Sequence, residues 1–288
     1  MAVIFITGTS TGIGLATAIA FGRAGHDVYA TMRNPDRAPE LASTAAKEKL
    51  PIKVLPMDVD NNASVAATVA RVLGDGGRID VLVNNAGIAA TGAVEELPLA
   101  DFRRVMETNY FGALRCIQAV VPGMRARRDG HIINVSSIQG RMSVPSFAPY
   151  AASKWALEAA SEALAQETKS FGVKVSIVEP GMIATPVWDK RRQVPAKTHY
   201  PQERRIHALC NALLQQPVSP SVVADKIVEI AQSKTWKLRH PVGPDAEPML
   251  QYRAAMTDEQ WVEMQSLESD REWLAIVKRD FGVDLDLP

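Results

Sequence analysis

The chain has 288 residues, of which 47% are hydrophobic and 22% are charged, a composition that allows one large folded domain and excludes a disordered chain. Lys plus Arg and Asp plus Glu number 32 each, so no net charge attracts nucleic acid or an anionic membrane. The apolar runs are too short for a membrane span or a signal peptide, and the two cysteines are too few for a disulfide framework. We therefore expect a cytoplasmic protein without a metal site, and with neither nucleic acid nor membrane as a partner.

Short apolar runs alternate with segments of helical length along most of the chain. The predicted strands are Val3–Thr7, Val28–Thr31, Ile52–Met57, Ile79–Val83, Ile132–Ser136, Val173–Val178 and Leu238–Val242. Continuous apolar runs are typical of strands buried on both faces, and their alternation with helices predicts an α/β fold with a doubly wound, mostly parallel sheet of the Rossmann type. We expect one domain over residues 1–245, followed by a helical extension over 246–288. In such sheets ligands bind beyond the carboxyl ends of the strands.

The first strand runs into a glycine-rich turn, GTSTGIG, over residues 8–14. Glycines make the backbone flexible, and exposed amides at the start of the following helix can accept a pyrophosphate. The spacing differs from the standard G-x-G-x-x-G dinucleotide fingerprint. By spacing alone the turn is therefore also compatible with a tight connection between a strand and a helix.

Tyr150 and Lys154 stand four residues apart in an alanine-rich segment, so both side chains lie on one face of one helix. A free phenol titrates near ~10, and lowering its pKa by ~3 units needs about 4 kcal/mol. A positive charge at ~4 Å in an effective dielectric of ~20 supplies roughly that energy. The pair predicts an acid/base catalyst at Tyr150. The alternative is an ordinary surface tyrosine and lysine.

Several motifs occur together in one order. They are the glycine turn, Asn84-Asn85-Ala86-Gly87, Asn109, Ser137, the Tyr150 and Lys154 pair, and Pro180-Gly181. Over about residues 2–245 the chain thus resembles the classical short-chain dehydrogenase/reductase (SDR) family. The resemblance implies that residues 1–245 form an NADP-binding domain whose segment 182–216 binds the substrate.

The resemblance also implies the roles of four catalytic residues. Tyr150 exchanges a proton with the substrate oxygen, Ser137 orients that oxygen, and Lys154 lowers the pKa of Tyr150 and binds the nicotinamide ribose. Asn109 kinks a long helix predicted over Leu99–Val121 and holds a water that leads from Lys154 to solvent. An exposed helical asparagine is the other interpretation of Asn109.

The resemblance predicts an extended cofactor site. Its members are Gly8, Ser10, Thr11, Gly12, Ile13, Gly14, Arg33, Asp58, Val59, Asn85, Ala86, Gly87, Tyr150, Lys154, Pro180, Gly181, Ile183 and Thr185. Met32 stands where NAD-preferring relatives have a carboxylate, and Arg33 can bind a 2′-phosphate, so we predict NADP(H) in preference to NAD(H). The alternatives are a solvated Arg33, and helix caps at Asp58 and Thr185.

The predicted substrate site is mostly apolar. Its members are Ser137, Met142, Phe147, Tyr150, Met182 and Trp188. They favour an apolar ketone, aldehyde or secondary alcohol, whereas the basic residues between Lys190 and Arg205 either form a solvated helix face or bind an anionic group. For the apolar residues between Trp261 and Val277, core packing or a subunit contact is favoured over a cofactor site.

The resemblance predicts a homodimer or homotetramer that associates through the helices Leu99–Val121 and Tyr150–Lys169. The candidate contacts are Phe102, Val105, Trp155 and Leu164. The alternative function is a catalytically silent NADP-binding sensor or scaffold on the same fold. A sugar-nucleotide epimerase or dehydratase is disfavoured, because the glycine turn and the NNAG motif are of the classical type.

Overall fold

The computed structural model describes residues 1–188 and 198–287. Within these residues the strands are β1 Val3–Thr7, β2 Asp27–Met32, β3 Ile52–Pro56, β4 Val81–Asn84, β5 Gly130–Val135, β6 Val173–Pro180 and β7 Arg239–Val242. They form one sheet of seven parallel strands in the order β3-β2-β1-β4-β5-β6-β7. The predicted doubly wound sheet is confirmed, and each strand lies within a few residues of its predicted run.

Helices cover both faces of the sheet. In the described part of the chain they are α1 Gly12–Arg23, α2 Glu40–Glu48, α3 Asn62–Gly76, α4 Leu99–Met106, α5 Gly112–Arg127, α6 Ala148–Thr168, α7 Gln202–Leu213, α8 Pro220–Gln232, α9 Ala246–Ala254, α10 Asp258–Gln265 and α11 Asp270–Phe281. Successive residues of β1 alternate between two cores: Val3 and Phe5 pack with α3 and α5, and Ile4 and Ile6 pack with α1 and α8. This alternation explains why the strand is apolar throughout.

The long helix predicted over Leu99–Val121 is interrupted in the middle. A π-helical turn, Glu107–Phe111, separates α4 from α5 and contains Asn109. A π turn inserts an extra residue into the helical ladder and so changes the direction of the helix. The predicted irregularity at Asn109 is therefore present. Val105 on α4 is 0% exposed, so its predicted role as a subunit contact is wrong.

The helices of the C-terminal extension pack on the carboxyl edge of the sheet. Trp273 and Val277 of α11 join a buried cluster with Phe147, and Trp261 of α10 joins one with Met142. The core-packing interpretation of these residues therefore holds, while the domain division at residue 245 stays a prediction. Helices long and apolar enough to cross a membrane are absent from the described residues.

Candidate active site

One cavity of about 700 Å³ follows the carboxyl edge of the sheet, from the glycine turn after β1 to α9 and α11. Of the predicted catalytic, cofactor and substrate residues, all line this cavity except Gly14 and Asn109. The carboxyl ends of neighbouring parallel strands meet at one edge, so turns that are far apart in sequence converge there. The fold thus assembles the separate sequence motifs into a single site.

The glycine turn is shaped to hold a phosphate group. Gly8 and Gly12 have positive φ angles of 71° and 60°, which favour glycine. Thr11 is the N-cap of α1 but makes no side-chain capping bond, so the first amides of the helix stay available to an external acceptor. These free amides and the dipole of α1 fit the pyrophosphate of a dinucleotide.

Gly14 and Asn85 support this turn from behind. A Cβ at Gly14 would lie 2.3 Å from the Gly8 carbonyl oxygen and 2.4 Å from Asn85 Nδ2. Asn85 Nδ2 donates to the carbonyl oxygens of Thr7 at 3.0 Å and Gly8 at 2.9 Å. Gly14 therefore supports the shape of the turn, and its predicted contact with the cofactor stays a prediction.

The ends of β2 and β3 form the wall where the resemblance puts the adenosine. Met32 is buried at this end, and Arg33 is exposed without a side-chain hydrogen bond or ion pair to any described residue. Asp58 accepts from the amide of Asp60 at 3.1 Å, while Asn61 caps α3. The helix-capping alternative for Asp58 is thus excluded.

Ser137, Tyr150 and Lys154 meet between β5 and α6. Lys154 is 4% exposed, and its Nζ donates to the carbonyl oxygen of Val135 at 2.8 Å. The same nitrogen lies 5.5 Å from the centre of the Tyr150 ring. Ser137 Oγ donates to the Pro180 carbonyl oxygen at 3.4 Å, so Ser137 contacts the end of β6. The three side chains face the cavity together.

The protonation of this group differs from the sequence prediction. Burial raises the pKa of Tyr150, and only the nearby Ser137 hydroxyl opposes this shift. Burial also lowers the pKa of Lys154 to about 8, and the carboxylate of Glu158 opposes that change. The net shift of the Tyr150 pKa is therefore upward, opposite to the predicted direction, because desolvation outweighs the charge of an ammonium that donates to Val135. Tyr150 is a neutral phenol, which can donate a proton.

Asn109 lies behind the cavity and organises its wall. The side chain is 1% exposed, and its Oδ1 accepts from the amide of Ile88 at 2.8 Å. Its Nδ2 donates to the Ile88 carbonyl oxygen and to Ser153 Oγ, each at 2.9 Å. The exposed-asparagine alternative is excluded. Asn109 fixes the segment after β4 against α6, and the water assigned to it stays a prediction.

The substrate end of the cavity is apolar. Phe147 and Trp188 meet edge to face with ring centres 6.2 Å apart, and Trp188 Nε1 donates to the Ile183 carbonyl oxygen at 2.7 Å. The indole is thus satisfied internally and presents its apolar face. Further side chains of this end are Met142, Val144, Met182, Ile206, Leu209, Leu213, Met249 and Phe281.

Sequence reasoning missed the contribution of α9 and α11. Asp245, just before α9, accepts from the amide of Met182 at 2.7 Å, and a Cβ at Gly181 would lie 2.2 Å from its Oδ1. Tyr252 of α9 and Asp280 of α11 also line the cavity. The helical periodicity of this region indicated packing, but no local signal identified the surface against which it packs.

The basic residues after Trp188 do not behave as predicted where they are described. Arg205 is 1% exposed, and its Nε lies 2.7 Å from Asp270 Oδ1, while Arg204 pairs with the same carboxylate. Arg205 is therefore neither on a solvated face nor free to bind an anion. Lys190, Arg191, Arg192 and Lys197 lie outside the described residues. Residues 1–188 and 198–287 contain no group of His, Cys, Asp and Glu arranged for a metal ion.

Comparison with known proteins identifies the family. A model of the short chain dehydrogenase family matches residues 2–196. Oxidoreductase BOA17 of Botryotinia fuckeliana is 37% identical over 267 residues, which cover 90% of this chain and 96% of that protein. Retinol dehydrogenase 8 of Bos taurus is 36% identical over 266 residues, 87% of this chain and 84% of that protein.

The fold agrees with this relationship. The crystal structure of a short-chain dehydrogenase from Streptomyces avermitilis matches with a TM-score of 0.79 and 33% identity. The match covers 96% of this chain and 98% of that one. The span that the family model matches includes both the glycine turn and the Tyr150 region. The chain belongs to the short-chain dehydrogenase family of oxidoreductases.

Proposed function

We propose that this protein is an NADP(H)-dependent oxidoreductase that interconverts a largely apolar ketone or aldehyde and the corresponding alcohol, with Tyr150 as the acid/base catalyst. The proposal is supported by one observation above all. The glycine turn, the Ser137, Tyr150 and Lys154 group and an apolar wall share a single cavity. A relative named for retinol, an apolar alcohol, agrees with this substrate class.

In the proposed reaction, Tyr150, Ser137 and Lys154 each have a separate role. A nicotinamide cofactor held along this cavity by the glycine turn and Lys154 would supply the hydride for the carbonyl carbon. Tyr150 gives its phenolic proton to the carbonyl oxygen, and the Ser137 hydroxyl holds that oxygen in place. The ammonium of Lys154, close to the ring, stabilises the phenolate that remains until a proton returns from solvent. The reverse sequence oxidises the alcohol.

The proposed preference for NADP(H) depends on Met32 and Arg33. Met32 offers no carboxylate to repel a 2′-phosphate, and the Arg33 guanidinium, which pairs with no side chain of residues 1–188 and 198–287, can donate a charge-assisted fork to it. Replacing Met32→Asp together with Arg33→Ala adds repulsion and removes attraction. We expect kcat/KM to shift toward NAD(H) by at least tenfold. A wild-type enzyme that prefers NADH would contradict the assignment.

The direct test of the catalytic role is Tyr150→Phe. This variant keeps the ring and loses the proton, so turnover of a ketone panel with NADPH should fall at least 1,000-fold while NADPH affinity stays within a few-fold. Tyr29→Phe is the matched control, because Tyr29 is buried elsewhere in the core and bonds Lys53 at 3.2 Å. Activity near the wild-type level in Tyr150→Phe would refute the role.

The same experiment separates the enzyme from a silent sensor. A sensor would bind NADPH and change its fluorescence without oxidising it in the presence of any ketone or aldehyde. The buried Lys154 beside Tyr150 favours the enzyme, because burying a lysine is costly and a binding role alone does not require that pairing.

We also propose that the protein is a homodimer or homotetramer. Apolar side chains are exposed on or beside the helices named for this contact: Trp155 at 51%, Leu99 at 61% and Phe111 at 45%. Large exposed apolar residues on neighbouring helices are typical of association surfaces. Light scattering at micromolar concentration should give at least twice the chain mass, and Trp155→Glu should lower it.

A further inference from the structure

Polar side chains interrupt the apolar wall of the cavity where α9 and α11 meet. Tyr252 of α9 and Asp280 of α11 both line it, and the Tyr252 hydroxyl donates to Asp280 Oδ2 at 2.7 Å. The Tyr252 ring packs edge to face on Phe281, with ring centres 5.0 Å apart. The pair is thus held in place by a neighbour that belongs to the same wall.

The Tyr252 and Asp280 pair can accept hydrogen bonds from a ligand but cannot donate one. Tyr252 has a single hydroxyl proton, and its shorter hydrogen bond uses that proton on Asp280. The phenol oxygen then has only lone pairs left, and a carboxylate has only acceptor oxygens. The pair therefore offers hydrogen-bond acceptors, and no donor, to a molecule in the cavity.

Asp280 lines the cavity, and Arg279, which does not, holds both of its carboxylate oxygens in an ion pair. Its carboxylate is 15% exposed, whereas the bonded Arg279 is 71% exposed and does not line the cavity. Hydrogen bonds from Arg279 and Tyr252 lower the pKa of Asp280 to about 2, so the group is ionised at neutral pH. Because solvent screens the exposed guanidinium, Arg279 does little to attract an anion into the cavity.

We infer that the substrate carries a hydrogen-bond donor, a hydroxyl or an ammonium group, which binds the Tyr252 and Asp280 pair at a second point on an otherwise apolar body. The inference rests on the proposed function and narrows its substrate class. A carboxylate at that point would meet a like charge and find no donor, and burying it unpaired is costly. The cavity therefore selects against carboxylate-terminated carbonyl compounds.

The test compares ketones of equal chain length that end in methyl, hydroxyl, ammonium or carboxylate. In the wild type, kcat/KM should be at least tenfold lower for the carboxylate than for the methyl compound, and higher for the hydroxyl or ammonium compound. The comparison of the hydroxyl with the ammonium compound distinguishes a neutral from a cationic donor. Asp280→Asn supplies an amide donor and removes the charge, so the carboxylate penalty and any ammonium advantage should each shrink about tenfold.

Asp284→Asn is the matched control. It removes a carboxylate from the same end of the chain, but Asp284 is 81% exposed, pairs with Lys278 and does not line the cavity. All four ketones should react with it as with the wild type. If Asp280→Asn does not fold, Tyr252→Phe is the second variant: it removes one acceptor of the pair and keeps the charge of Asp280, so it should lower the advantage of the donor compounds and leave the carboxylate penalty in place.

The outcomes separate this inference from the proposed function. If the methyl ketone is reduced but the carboxylate compound is the best substrate, or if Asp280→Asn keeps the wild-type order, the inference is overturned and the reductase stands. If no ketone reacts, the reductase fails. Calorimetry of the NADP complex with alcohols, amines and carboxylates of equal length then tests the pair, and equal affinity for all three would refute it.

Discussion

The cofactor end of the cavity is formed mainly by backbone groups of turns, whereas the substrate end is formed mainly by side chains. At the cofactor end, short turns after β1 to β4 present backbone groups, and the residues that shape them, such as Gly14 and Asn85, act on the adjoining turn. At the substrate end, side chains come from segments far apart in the chain. Phe147 at the start of α6, for example, packs in one cluster with Ile206 of α7, and both line the cavity.

This difference shows where the two specificities reside. Backbone amides keep the same chemistry whatever the neighbouring side chains are, so the conformation of the glycine turn depends on a few glycines and one asparagine. An apolar wall depends on summed volume and shape, and many combinations of side chains satisfy it. Changes at one end should therefore alter cofactor binding, and changes at the other should alter substrate preference. Three variants can break or sharpen that separation.

The largest effect is expected for Gly14→Ala. The added Cβ would lie 2.3 Å from the Gly8 carbonyl oxygen, so the turn must move and its free amides lose their alignment. We expect NADPH affinity to fall at least 100-fold, measured by fluorescence titration. Gly74→Ala in α3 is the control, because nothing lies within 4 Å of its new Cβ, and it should leave affinity unchanged. Normal NADPH binding by Gly14→Ala would contradict the backbone account.

A smaller effect is expected for Phe281→Ala at the other end. Phe281 lines the cavity and packs on Tyr252, and burying such a side chain against a ligand is worth about 1.5–3 kcal/mol, or roughly 10- to 100-fold. kcat/KM for long apolar ketones should fall by that factor while the NADPH dissociation constant stays the same. Phe171→Ala, which removes a phenylalanine outside the cavity, is the control. A parallel loss of NADPH affinity would break the separation of the two ends.

The smallest effect is expected for Glu158→Gln. This variant tests the environment of Lys154, which lies beside Tyr150 between the cofactor end and the substrate end of the cavity. Glu158 lies one helical turn after Lys154 on α6, is 4% exposed and raises the pKa of Lys154 against the effect of burial. Lys154 loses its proton as the pH rises through about 8, so activity should decline there. Without the Glu158 charge, the Lys154 pKa falls further, and the decline should move to lower pH.

The measurement is the pH profile of kcat/KM. Glu162→Gln is the control. Glu158 and Glu162 both pair with Arg239, at 2.9 and 2.6 Å, but the Glu162 side chain is half exposed. Its profile should match the wild type. An alkaline limb that stays in place in Glu158→Gln would show that Glu158 does not set the charge of Lys154.

The sequence predicted best where function depends on local geometry. The parallel sheet follows from apolar runs that alternate with helical segments, and the grouping of Ser137, Tyr150 and Lys154 follows from the family resemblance that short motifs carry. The interruption at Asn109 was also predictable, because an asparagine is a poor helix former and, once buried, needs several hydrogen-bond partners. In each case the decisive contacts lie close in sequence or at a common sheet edge.

The predictions that were wrong concern burial, which depends on segments distant in sequence. Val105 was expected on an outer face and Arg205 in solvent or on an anion, yet both are buried, because segments distant in sequence cover them. The direction of the Tyr150 pKa shift depends on how much protein surrounds the ring, which spacing along a helix does not state.

The amino-acid sequence by itself determined the fold class, the family and the candidate site motifs, since these depend on residue type and on separations of a few positions. Only the tertiary structure decided which helices close the cavity and which polar groups face a substrate. Asp280 and Tyr252 are 28 residues apart and belong to no motif, and they meet because α9 and α11 pack on the same edge of the sheet. Such contacts arise from the packing of whole elements, which no local pattern records.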